Sequence, residues 1–122
     1  MEYDRNNVFA RILRGEIPCK KVYEDEHVLA FHDARPQTPT HILVIPKGAY
    51  VSLADFSAKA SDVEIAALFR AVGAIAREHG LDESGYRILA NNGEDANQEV
   101  PHLHIHIFGG RPLGRMIAPA AK

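Results

Sequence analysis

The 122-residue sequence has one cysteine, no tryptophan and no long apolar run. A single thiol, Cys19, forms no intrachain disulfide, which fits a reducing compartment. The densest apolar stretch, Ile42-Leu43-Val44-Ile45, is far too short to span a bilayer. No basic segment followed by an apolar one opens the chain, so no signal peptide is expected and a cytoplasmic location is predicted. Neither sign of charge prevails: the net charge is −2, and Lys and Arg are interleaved with Asp and Glu. That argues against an electrostatic grip on nucleic acid or on an anionic membrane. There is also no internal repeat, low-complexity tract or linker. A single domain over residues 1–122 is predicted, with a core at about 8–113 and a short tail at 114–122. A chain this short buries a modest share of its surface, so oligomerisation would add useful burial.

The elements alternate in period. Asn6 or Asn7 can cap a short helix over residues 7–14 that puts Val8, Phe9, Ile12 and Leu13 on one face and ends at Gly15. Strand-like runs follow at residues 21–25 and 27–33, the second setting Val28, Ala30 and His32 against Leu29, Phe31 and Asp33. Pro36 and Pro39 mark a loop before a third strand at residues 41–45. Ser61-Asp62-Val63-Glu64 is a capping-box pattern that opens a long helix, with Ile65, Leu68, Phe69, Val72 and Ala76 on one face and Ile75 beside it. His79 sits in its last turn and Gly80 is a good residue to end it. Further strands are predicted at residues 86–91 and 100–108, separated by a polar, Gly-containing loop. Short connections between strands and one long helix favour an α+β fold with an antiparallel sheet.

The stretch from Pro101 to Phe108 carries the chemistry. On a strand, successive side chains point to opposite faces, so His102, His104 and His106 share one face while Leu103, Ile105 and Ile107 anchor the other. Burying three imidazoles without partners is costly, which makes this row a functional candidate rather than a structural one. His27 and His79, isolated in sequence, are read as surface or structural, and His32 as pocket wall or packing. Residues two apart on one face lie roughly 6.6 Å apart, so all three histidines reach one metal only with severe bending. An adjacent pair with His41 stays open as a metal site. A phosphate fits the row better: one ring nitrogen attacks phosphorus and its neighbours donate to the other oxygens.

His102-Leu-His104-Ile-His106-Ile-Phe108 resembles the motif of the histidine triad family. The likeness extends over Asn7-Val-Phe9 with Glu16-Ile17-Pro18, Leu29-Ala-Phe31-His32-Asp33, Pro39-Thr-His41 through Lys47, Asn91, Gln98-Glu-Val100 and Gly109-Gly110-Arg111-Pro112, all similar to its Hint branch. The resemblance implies a five-stranded antiparallel sheet with one long and one short helix, doubled to ten strands in a homodimer. It implies hydrolysis of purine nucleoside 5′-phosphoramidates, including AMP linked to lysine and aminoacyl-adenylates, with a nucleotidyl group carried on His104. His102 would orient the nucleophile, His106 contact the phosphate and His41 serve a proton relay. Asp33 would accept from the ribose hydroxyls. Phe9, Ile17, Phe31, His32 and Ala34 would line the purine pocket, although from the sequence alone Phe9, Ile17 and Phe31 read better as plain core. Asn91, Gln98 and the Glu99 backbone N–H would face the phosphate.

Departures from the family pattern sharpen the expectation. Asn7 and Ala10 stand where some members carry a zinc-binding Cys pair, so no metal and no cofactor are expected. A third histidine, rather than the glutamine of the transferase branch, favours water as final acceptor. Glu99 cannot donate when ionised, and Met116 and Ile117 occupy a tail that carries Trp in some members. Two other functions fit the same residues: a dinucleoside polyphosphate hydrolase, and a nucleotide-binding interaction protein whose hydrolysis is incidental.

Overall fold

A computed structural model describes residues 2–118. The element order is α1 (Val8–Leu13), β1 (Lys21–Glu24), β2 (Val28–His32), β3 (Thr40–Pro46), α2 (Leu53–Lys59), α3 (Asp62–Glu78), α4 (Leu81–Ser84), β4 (Arg87–Leu89) and β5 (Ile105–Gly109). One 3₁₀ turn, Glu94–Ala96, lies in the loop before β5. The five strands form one sheet in the order β1-β2-β3-β5-β4, and every neighbouring pair is antiparallel. The expected α+β architecture is therefore present, with α2 and α4 as short helices that the periodicity did not mark.

Alternation on the central strands feeds two separate apolar layers. Val28 and Ala30 of β2, Ile42 and Val44 of β3, and Ile105 and Ile107 of β5 pack with Leu68, Val72 and Ile75 of α3. Leu29, Phe31, Leu43 and Ile45 point the other way and pack with Phe9 of α1. Covering both faces explains why β2 and β3 read as near-continuous apolar runs. α3 starts on the expected capping box: Ser61 Oγ accepts from the Glu64 N–H at 3.2 Å, and the Glu64 carboxylate accepts from the Ser61 N–H at 3.0 Å. Ser61→Ala should lower stability by about 1 kcal/mol, read as a shift in the urea midpoint without a change of slope. Phe69 departs from the buried face assigned to it: it is 47% exposed, since the buried stripe of α3 is Leu68, Ala71, Val72, Ile75 and Ala76.

The last strand is shorter than its sequence pattern. It begins at Ile105 rather than Val100, because residues 100–104 have no strand partner. Their backbone bends instead: the His102 N–H donates to Val100 O at 2.8 Å and the Leu103 N–H to Tyr50 O at 2.9 Å. Leu103 still enters the α3 core, so the inside–outside alternation survives the loss of the ladder.

Candidate active site

Antiparallel register brings His41 to the histidines of β5. His41 pairs with Phe108 and Leu43 with His106, so His41 and His106 are diagonal neighbours on the face away from α3. Their rings meet: His41 Nε2 lies 2.9 Å from His106 Nδ1. Phe108 holds both rings, stacked on His106 at a centroid distance of 5.4 Å and tilted against His41 at 4.3 Å. The His104 ring lies 5.0 Å from that of His106, and the edge of Phe9 meets His104 at 4.9 Å.

Hydrogen-bond partners fix which nitrogens carry protons. Pro46 O can only accept, so His102 Nε2 donates to it at 2.8 Å, leaving Nδ1 to accept from the Tyr3 hydroxyl. His104 Nδ1 donates to His102 O at 2.7 Å, which leaves Nε2 of the neutral ring with its lone pair. At the other end, the Gln37 backbone N–H donates to His41 Nδ1 at 3.1 Å. The proton of neutral His41 is therefore on Nε2, donated to His106 Nδ1, and His106 keeps its own proton on Nε2. That Nε2 is buried without a partner among the described residues. The site thus sets a lone pair on His104 beside an unspent donor on His106.

Burial keeps these rings neutral. It lowers the pKa of His104 below the usual histidine value, and it pushes His102 and His106 down to about 4. His41 is also lowered by burial, against an opposing pull from Asp33. Neutral imidazole at pH 7 is the nucleophilic form.

Asp33 follows β2 on the same face. Its N–H donates to His41 O at 3.0 Å, its Oδ1 accepts from the Arg35 N–H at 2.8 Å, and its Oδ2 lies 3.4 Å from His41 Nε2. Asp33, His41 and His106 each bring a ligand atom within 4.8 Å of the others, a spacing that suits a divalent cation. The proton order opposes it. A metal-bound imidazole normally donates from its second nitrogen, whereas His41 accepts there and has no lone pair left on Nε2. The cluster suits proton movement better than metal binding.

Residues 14–113 match the HIT domain. The chain belongs to the HIT domain family. Among its relatives, an uncharacterised 13.2 kDa HIT-like protein of Azospirillum brasilense is 76% identical over 94% of each chain. A purine nucleoside phosphoramidase of Escherichia coli K12 is 42% identical, covering 91% of this chain and 92% of that one. A histidine triad protein from Clostridium difficile superposes with a TM-score of 0.83 at 43% identity, over 96% of this chain and 100% of that one.

The HIT domain does not gather every predicted site residue. Phe9 and Phe31 are buried edge to face, 5.5 Å apart, with Ile17 half-buried. His32 pairs with Ile42, so its side chain faces α3 rather than Asp33; it is exposed, 6.3 Å from the His79 ring. Ala34 and Glu99 are exposed and Asn91 is half-buried. The Gln98 side chain is fully engaged by the chain itself: Oε1 accepts from the Gly93 N–H, and Nε2 donates to Val51 O and Val100 O. It pins the loop before the triad. His102 is wholly buried with both nitrogens engaged, so of the row only His104 and His106 keep a nitrogen without a partner among the described residues. Cys19 is exposed beside Lys21, and desolvation raises its thiol pKa despite that lysine.

Sequence reasoning missed Tyr3, the Pro46 carbonyl, the Gln37 N–H and Phe108. The alternation itself signalled Phe108, two residues beyond His106. The other three act through contacts that no local pattern marks.

Proposed function

We propose that this HIT protein is a hydrolase that cleaves the P–N bond of purine nucleoside 5′-phosphoramidates through a nucleotidyl group on His104. The observation that carries the reading is the lone pair on His104 Nε2 beside the unpartnered N–H of His106. In the first step His104 Nε2 attacks the α-phosphorus, a P–N bond forms to the imidazole and the substrate P–N bond breaks. The leaving nitrogen takes up a proton and departs as the amine. In the second step water attacks the same phosphorus, loses its proton, and the nucleoside monophosphate leaves His104. His106 Nε2–H donates to a non-bridging oxygen where negative charge grows, and His41 stands behind it to exchange protons. Asp33 accepts from the ribose hydroxyls, a role suited to an acceptor-only carboxylate. Phe9 and Phe31 are a buried apolar backing, and half-buried Ile17 offers apolar surface to the base. The Escherichia coli relative, a purine nucleoside phosphoramidase, supports the same substrate class. The test is intact-protein mass spectrometry of samples quenched during turnover of an adenosine 5′-phosphoramidate with chelator present. A nucleotidyl adduct on His104 is expected, and turnover without any adduct-forming dependence on His104 would sink the reading.

The same reading includes a homodimer. β4 is an edge strand, and Phe69, Ile88 and Leu53 are exposed beside it at 47%, 41% and 45%. They border an apolar groove of about 180 Å³ with Leu68, Leu89 and Ala90. An exposed apolar patch next to a free strand edge favours association. Sedimentation should give twice the mass of one chain, and Phe69→Glu should shift it to the monomer. A monomeric wild-type chain at micromolar concentration would remove the dimer.

A further inference from the structure

We infer that the peptide N–H of Gln37 is a positioning group that sets the direction of every proton along His41 and His106. It donates to His41 Nδ1 at 3.1 Å from the loop before β3, while Gln37 itself is exposed. A peptide N–H cannot accept, so this contact admits only the His41 tautomer with its proton on Nε2. The 2.9 Å contact then makes His106 Nδ1 the acceptor, and the proton of His106 falls on Nε2. Were His41 to carry its proton on Nδ1, the order would reverse. His106 would then carry a lone pair, instead of an N–H, on its Nε2, with its ring 5.0 Å from that of His104. A lone pair there would repel the oxygens of a phosphate.

Asp33 Oδ2 lies 3.4 Å from His41 Nε2 and pulls the same way, but it is the longer contact. It is also the group assigned to the ribose under the proposed function, so with nucleotide bound the Gln37 N–H is the fixed constraint that stays. Only the kinetic arm of the test rests on that function; the tautomer arm does not.

The test is long-range ¹⁵N–¹H NMR of the imidazole nitrogens in the whole protein near pH 7.5. In the wild type, His41 Nδ1 should be imine-like and Nε2 amine-like, with a scalar coupling across the hydrogen bond from the Gln37 nitrogen to Nδ1. Asp33→Asn should keep that tautomer. Gln37→Pro deletes the N–H and should move His41 toward mixed tautomers, whereas Gln37→Ala, which retains the N–H, should keep the wild-type shifts. On a phosphoramidate, Gln37→Pro should lower kcat roughly tenfold with KM within about twofold. If the proline variant fails to fold, the ester analogue made by placing the α-hydroxy acid counterpart at position 37 removes the same N–H without the ring. An amine-like His41 Nδ1 in the wild type overturns the inference, as does a tautomer that Asp33→Asn alone reverses. It also falls if deleting the N–H leaves the His41 shifts unchanged. A wild-type protein without phosphoramidase activity, but with the expected shifts, overturns the proposed function and leaves this inference standing.

Discussion

His104→Ala should lower kcat on an adenosine 5′-phosphoramidate by at least about 10³-fold, with AMP still bound by the variant. The magnitude follows from the loss of the attacking atom itself. His106 cannot replace it, because its Nε2 carries a proton and its Nδ1 is occupied by His41. His102 cannot replace it either, being wholly buried with both nitrogens engaged by Tyr3 and Pro46. What remains after the substitution is binding and electrostatic stabilisation, without the covalent route through the imidazole. The alanine also removes the ring that Phe9 packs against, so circular dichroism and the melting temperature must accompany the kinetics. A folded His104→Ala protein with wild-type turnover would dispose of the nucleophile. A second arm separates the alternatives. Faster hydrolysis of diadenosine triphosphate than of the phosphoramidate would favour a dinucleoside polyphosphate hydrolase.

Stability should fall steeply below pH 6.5, and His102 supplies a large share. Its folded pKa of about 4 lies below the unfolded value of 6.5, because burial disfavours the charged ring. Between those values the unfolded chain binds the proton and the folded chain does not. The contribution is therefore complete above pH 6.5, is lost as the pH falls toward 4, and is flat below that for this group. The displacement is worth on the order of 3 kcal/mol for a wholly buried ring. His106, pushed down in the same direction, steepens the loss. Urea unfolding at pH 7.5 and at pH 4.5 measures the difference. His102→Gln should weaken the pH dependence while also lowering stability at pH 7.5, since Tyr3 and Pro46 lose their ring partner. Equal midpoints at the two pH values, or an unchanged slope in the glutamine variant, would contradict the account.

Much of this was legible in residue order, for a definable reason. Period-two alternation states which side chains share a face whether or not a ladder forms, and so Leu103, Ile105 and Ile107 reached the core although residues 100–104 are not strand. The α3 capping box is local chemistry within four residues and was equally readable. Phe69 misled because an i, i+3, i+4 stripe does not say how wide the buried face is. His32 lies on the face of Val28 and Ala30, opposite Asp33, as alternation set it, and its pairing with Ile42 fixes that face; its place in the purine pocket rested on the family resemblance alone.

The sequence by itself determined the sheet, the long helix, and the row of imidazoles that makes phosphorus chemistry the natural reading, all of which follow from short-range periodicity. Only the tertiary structure decided where the protons sit. His41 meets His106 across 65 positions and Tyr3 meets His102 across 99, and a tautomer is set by the atom facing each nitrogen. Such contacts depend on strand register and packing, which no local spacing encodes.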